Sequence, residues 1–169
     1  ADGCWIAGDE SHARLDCCRR KYIYRITTHK APFRRQNHFL FHHASQLKMD
    51  YWDELWGHIL SQTDFKSFSK SHSGLEHFIC HIRECRWKIE PEAGVMEFHI
   101  AANRFVRGMV RLMAGCFLNL GLGIHGIEEV RDAMASGRQP KKSWSVPAHG
   151  LTLEEVDYPA EITALWKPV

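Results

Sequence analysis

Two hydrophobic rhythms alternate along the chain. In "RRKYIYRITTHK", from Arg19, the side chains of Tyr22, Tyr24 and Ile26 fall on one side and those of Ile23 and Arg25 on the other. That period of two predicts a strand. "NHFLFHH" reads as a short second extended piece. After Asp50, placed as an N-cap, Trp52, Leu55, Trp56 and Ile59 recur in steps of three and four, which predicts a helix. "QTDFKSFSKSHSG" is rich in Ser, Asp and Gly and reads as a loop. "HFICHIRECRWKI" reads as a strand with a slip: Phe78, Cys80 and Ile82 share one face, and Cys85, Trp87 and Ile89 continue in the opposite phase. A bulge near Arg83-Glu84 reconciles the two halves. "VMEFHIAAN" follows the turn "PEAG" as a strand with Met96, Phe98 and Ile100 inward.

Asn103 is then expected to cap a helix with an apolar stripe of Phe105, Met109, Leu112, Met113, Cys116 and Leu120. Arg104, Arg107 and Arg111 would run along one edge of it. Ile127, Val130 and Met134 predict a second, short helix that stops at Gly137. "GLTLEEVDYP" is a last strand in which Leu151 and Leu153 face alike. Residues 1–13 show no period and read as a lead-in. The order β, α, β, β, α, (α), β places the chain in the α+β class. It predicts a ferredoxin-like split βαβ: an antiparallel sheet with helices packed on one face. That fold hosts many functions and names none.

The 169 residues suit one domain, and 44% hydrophobic with 25% charged residues makes it globular. A formal charge of +2 does not announce a nucleic-acid binder. The distribution changes that picture. Basic residues bunch at Arg19-Arg20-Lys21, Arg34-Arg35, Arg104/Arg107/Arg111 and Arg138/Lys141/Lys142, and acids bunch at Asp53-Glu54, Glu128-Glu129 and Glu154-Glu155. A near-neutral total is therefore compatible with one basic face. The six cysteines include no C-x-x-C pair, so reduced thiols in a cytoplasmic protein are expected. No apolar run approaches the length of a membrane span. The start "ADGCW", without methionine, is the start expected of a fragment or a processed product.

Several residues carry candidate chemistry. The arginine row reads either as a solvated helix edge or as a contact for phosphate or carboxylate, which the guanidinium fork binds bidentately. Tyr22 and Tyr24 lie beside a basic run and could stack on bases, although packing is the commoner use of tyrosines at this spacing. His77 and His81 with Cys80 and Cys85, or His42-His43, lack the spacing of a zinc site, so no metal is expected. Thr63-Asp64 reads as an Asx-type turn rather than an acidic site. No P-loop and no G-x-S-x-G occurs.

Four stretches, in this order and spacing, resemble the tRNA pseudouridine synthase A family: "HARLDCCRRKYIYRI" (12–26), "DFKSFS" (64–69), "NRFVRGMVRLMAG" (103–115) and "GLTLEEVDYP" (150–159). The resemblance runs from residue 12 to about 160. It implies isomerisation of uridine to pseudouridine in the tRNA anticodon arm, without cofactor or metal, by a cytoplasmic homodimer. In that family an aspartate is the nucleophile that breaks the base–sugar bond, and the flipped base rejoins through carbon. The resemblance implies catalytic roles for Tyr22, packing against the target base, and Arg111, pairing with the aspartate. The family's R-T-D-x-G-V-H-A segment, which carries that aspartate, is missing here. The expectation is that residues 1–13 lead in from a missing N-terminal half, that 14–169 form the C-terminal synthase domain, and that the chain by itself is inactive. A divergent member that has lost the nucleophile is the other possibility. Arg20, Lys21 and Arg107 are expected, from charge, to contact the RNA backbone. The expected partners are tRNA, the protein's own N-terminal half and a second copy, with no membrane. The rival readings are a non-catalytic RNA-binding module and a protein-interaction domain on the same scaffold.

Overall fold

The computed structural model describes residues 5–70, 76–139, 144–164 and 166–168. Cys4, part of the Ser-rich loop and the Lys141-Lys142 pair lie outside them. In chain order the regular elements are β1 (Trp5–Ile6), β2 (Arg19–Thr27), β3 (Phe39–Leu40), α1 (Trp52–Ser61), β4 (Ile82–Glu90), β5 (Val95–Ala102), α2 (Met109–Gly121), α3 (Ile127–Ser136), β6 (Leu151–Asp157), α4 (Ala160–Thr163) and β7 (Lys167–Pro168). The protein is a mixed α+β structure built on one open five-stranded sheet.

β2 is the hub of that sheet. β5 runs antiparallel along one side of it, and β4 pairs antiparallel with the far side of β5. The other side of β2 is shared. β6 pairs antiparallel with Arg19 to Tyr24, and the short β3 pairs parallel with Ile26 and Thr27. Where β6 meets Lys21 and Tyr22 the register shifts: Lys21 faces Glu155 and Tyr22 faces Leu153, so Glu154 is the extra residue of a bulge. Residues 5–6, in the expected lead-in, pair antiparallel with 167–168 in a separate two-stranded ribbon.

The alternation that predicted β2 and β5 also sorts their faces. Tyr24, Ile26, Met96, Phe98 and Ile100 share a core with Leu55 and Ile59 of α1 and Met109, Leu112, Met113 and Phe117 of α2. Aromatic rings fill the space between α1, α2 and the sheet: Trp52 lies 4.9 Å from Trp87, and Phe98 lies 5.6 Å from Phe117, centroid to centroid. The opposite face is polar and laced with charges. There Arg25 pairs with Glu97 at 3.1 Å and Glu97 with His99 at 3.0 Å.

Several boundaries depart from the sequence pattern. The strand expected from His77 begins only at Ile82, although the expected bulge is present as a register shift between Ile82 and Glu84. Ahead of it, Ile79 makes a lone bridge to Asp64. Tyr51, not Asp50, stands at the N-cap of α1. The largest difference is in α2. It starts at Met109, and Gly108 at its N-cap has φ of +83°, a left-handed conformation that a residue with a Cβ resists. Asn103 caps no helix. Its Oδ1 accepts the backbone N–H groups of His81 and Arg104 instead. Arg104 and Arg107 therefore sit on an irregular approach, and only Arg111 of the predicted row lies on the helix. Gly137 ends α3 as expected.

A close backbone approach locks α2 in place. The carbonyl oxygen of Trp144 lies 1.5 Å from where a Cβ on Gly115 would be. Gly115→Ala is therefore expected to push residues 144–146 off the helix and to destabilise the fold by about 2 kcal/mol or more. For a domain of this size that lowers the thermal midpoint by roughly 5 °C, and a scan showing no shift would contradict the packing.

Candidate active-site face

Arg111 lies in the first turn of α2 and is half-buried. Its backbone and side chain both hold one residue: Val146 donates its N–H to the Arg111 carbonyl at 3.4 Å, and Arg111 Nε donates to the Val146 carbonyl at 2.7 Å. The next residue is held from the sheet, where the Tyr24 hydroxyl donates to the Pro147 carbonyl at 2.8 Å. Burial pushes the Tyr24 phenol well above its ordinary value, and the Arg111 charge close by pulls the other way. Arg111 and Tyr24 thus grip adjacent carbonyls of one loop. Among the described residues no carboxylate pairs with Arg111. A guanidinium has five N–H donors, and the carbonyl uses one.

Tyr22 is two residues from Tyr24 on the same side of β2, roughly 7 Å along the strand. Its ring meets Phe105 edge-on, centroids 5.1 Å apart. Phe105 belongs to the approach to α2 that Asn103 anchors. The cross-strand neighbours of Tyr22 are Ile100, which is buried, and Leu153, which is 48% exposed. The structure therefore places Tyr22 and Arg111 on the same, helix-bearing side of the sheet, with Tyr24 between them in sequence and in contact with the loop that Arg111 holds. Tyr22 is half-buried, so part of its surface is open beside an exposed leucine.

The other basic residues divide. The Arg20 guanidinium is spent on backbone carbonyls: Asn103 at 2.9 Å, Cys17 at 3.5 Å, and Arg14. Lys21 points to the opposite face and pairs with Glu155 at 3.3 Å, an exposed contact of little net worth. Arg107 is exposed, and its side chain makes no ion pair among the described residues. Arg104 lies against His77, Nη1 to Nε2 2.9 Å. That histidine therefore faces a cation, and Cys80 and Cys85 are buried thiols whose pKa burial raises. Asp64 accepts the Lys66 N–H at 2.8 Å, the expected Asx turn. Around it Phe65, Ser67 and Phe68 are buried, so this stretch is core.

Sequence reasoning passed over two residues of this face. Phe105 was assigned to a helix stripe. Leu153 was only paired with Leu151, and the alternation alone could not show that nothing covers it.

Comparisons with known proteins give the family of the chain. The family described as tRNA pseudouridine synthase matches residues 59–159, more than half of the chain, and the chain belongs to that family. Its relatives include a tRNA pseudouridine synthase A of Bacteroides thetaiotaomicron, 36% identical over 154 residues, and one of Parabacteroides distasonis, 37% identical over 154 residues. Each alignment covers 90% of this chain but only 56% and 59% of those relatives. A Bacillus subtilis relative of the same description is 28% identical over 153 residues. The chain thus spans well under two thirds of the length of the curated relatives it matches.

The loop carrying Val146 and Pro147 offers a test of this geometry. Tyr24→Phe removes the donor to the Pro147 carbonyl and is expected to cost about 1 kcal/mol. Urea unfolding should show a lower midpoint with an unchanged slope.

Proposed function

We propose that this chain is the C-terminal part of a tRNA pseudouridine synthase, that it supplies Tyr22 and Arg111 to the active site, and that the nucleophilic aspartate comes from an N-terminal half. The observation that carries this reading is Arg111: a half-buried cation, gripped by one carbonyl and given no carboxylate, on the side of the sheet where Tyr22 is partly open. Burying a charge is costly unless it is paired and hydrogen-bonded, so such a site favours an incoming anion. A carboxylate docked on Arg111 would be held ionised and aimed, as a nucleophile must be. The open faces of Tyr22 and Leu153 would meet the flat target base once it has left its stack.

The strand order supports the same reading. β6, β2, β5 and β4 lie side by side, every neighbouring pair antiparallel, with α1 between β2 and β4 in the chain and α2 between β5 and β6. We read that order as the ferredoxin-like split βαβ. With the family resemblance it gives the remaining parts of the proposal: action on uridines of the anticodon arm, no cofactor, a cytoplasmic enzyme and a homodimer, with 14–169 inactive alone. Arg107 is the best placed of the three residues assigned to the RNA backbone. Arg20 would act by fixing the approach to α2, and Lys21 would have to leave Glu155 to reach a phosphate.

In the whole enzyme, Arg111→Ala and Tyr22→Phe are expected to slow single-turnover pseudouridine formation by about a hundredfold or more. Affinity for tRNA should change far less. Wild-type turnover in Arg111→Ala would refute the role assigned to that residue.

A further inference from the structure

The loop after β2 builds a second basic site, away from Tyr22 and Arg111. A cavity of about 510 Å³ opens there, lined by Lys30, Arg35, His38 and His149 together with Pro32 and Leu40. Among the described residues no carboxylate lines it. Phe33, next to Pro32 in a single 3-10 turn (Pro32–Arg34), is fully exposed. The loop is held firmly. Thr28 donates its N–H to the Gly94 carbonyl at 2.9 Å, Arg34 Nη1 donates to the Ala93 carbonyl at 2.9 Å, and Thr27 Oγ1 donates to the His29 carbonyl at 3.0 Å. The first two bonds fasten the loop to the turn between β4 and β5, and the third closes the loop on itself.

We propose that this loop is an RNA-binding subsite in which Lys30 and Arg35 take backbone phosphate and Phe33 stacks on an unpaired base. An exposed aromatic alone would suit a protein partner equally well. Two cations, Lys30 and Arg35, beside two histidines and with no lining carboxylate among the described residues suit a polyanion, and the combination of cations with an aromatic is how single-stranded RNA is held. His38 and His149 add donors to the same wall. Burial and the nearby Arg34 and Arg25 charges hold the His38 pKa below its ordinary value, so the fixed positive charge of this wall is that of Lys30 and Arg35. Thr27, on the cavity wall, lies five residues beyond Tyr22 on one strand, roughly 17 Å away. The subsite therefore holds a nucleotide other than the one being isomerised, and its contribution is to affinity and choice of RNA rather than to chemistry. This inference rests on the tRNA reading above.

The test is fluorescence anisotropy of the full-length protein with an unmodified, labelled tRNA transcript between 50 and 200 mM salt, with pseudouridine formation measured in parallel. The Lys30→Ala/Arg35→Ala double variant should bind about tenfold or more weakly, with the slope of log K against log salt shallower by about two. Phe33→Ala should lose about five- to a hundredfold in affinity with the slope unchanged. Both should keep wild-type melting and wild-type turnover at saturating tRNA, with a raised KM. Wild-type affinity and slope in both variants would overturn the subsite. So would a Phe33→Ala protein altered only in its association with protein. A wild-type enzyme that binds tRNA but forms no pseudouridine would sink the functional reading instead, and the salt slopes would still decide on the subsite.

Discussion

The site rests on how closely residues 144–147 can lie against α2. Gly115 has no Cβ, and the Trp144 carbonyl occupies that space. With the backbone so close, the Trp144 ring enters the core and stacks on Phe68, centroids 5.1 Å apart. Val146 and Pro147, just beyond it, come within reach of Arg111 on one side and Tyr24 on the other. One absent methyl group thus couples the packing of the core to the aim of a guanidinium. The loop acts as a wedge between helix and sheet, and its carbonyls are the fixed points from which Arg111 is oriented.

That orientation has an electrostatic meaning. Several of the sheet and helix cations are neutralised or spent. Arg19 and Arg25 sit in ion pairs, Arg131 meets Glu54 and Glu128, and Arg20 and Arg34 bond backbone carbonyls. Arg111 is half-buried, bonds a single carbonyl through its Nε, and lies on the side of the sheet that carries Tyr22. Its remaining donors are presented to whatever arrives on that side of the sheet. The geometry is pre-set by packing, so an incoming anion would find donors already in position.

Much of this was legible in the sequence. β2, β5, β6 and α3 show their periods clearly, and the phase slip in "HFICHIRECRWKI" marks a real bulge. The element order gives the α+β class, and the four stretches give the family. What the sequence hid was local. Asn103 is a good N-cap by type, yet its side chain is taken by His81 and Arg104, while Gly108, with its left-handed backbone, starts the helix five residues later. The arginine row dissolved for that reason, because spacing implies a shared edge only where the backbone is helical. Burial could not be read either. Tyr22 and Tyr24 look equivalent in the pattern, but Tyr24 is sealed under the 146–147 loop and Tyr22 is not.

The bulge at Glu154 has a consequence for where negative charge can go. Counting back along β6 without the extra residue, Glu155 would fall opposite Arg20, on the helix-bearing side. With it, Glu155 and Asp157 line up with Lys21 and Arg19, and Glu154 itself reaches Arg25. A single inserted residue therefore moves two acids, Glu155 and Asp157, to the far surface of the sheet. The side that holds Arg111 is spared both carboxylates because β6 is out of step by one.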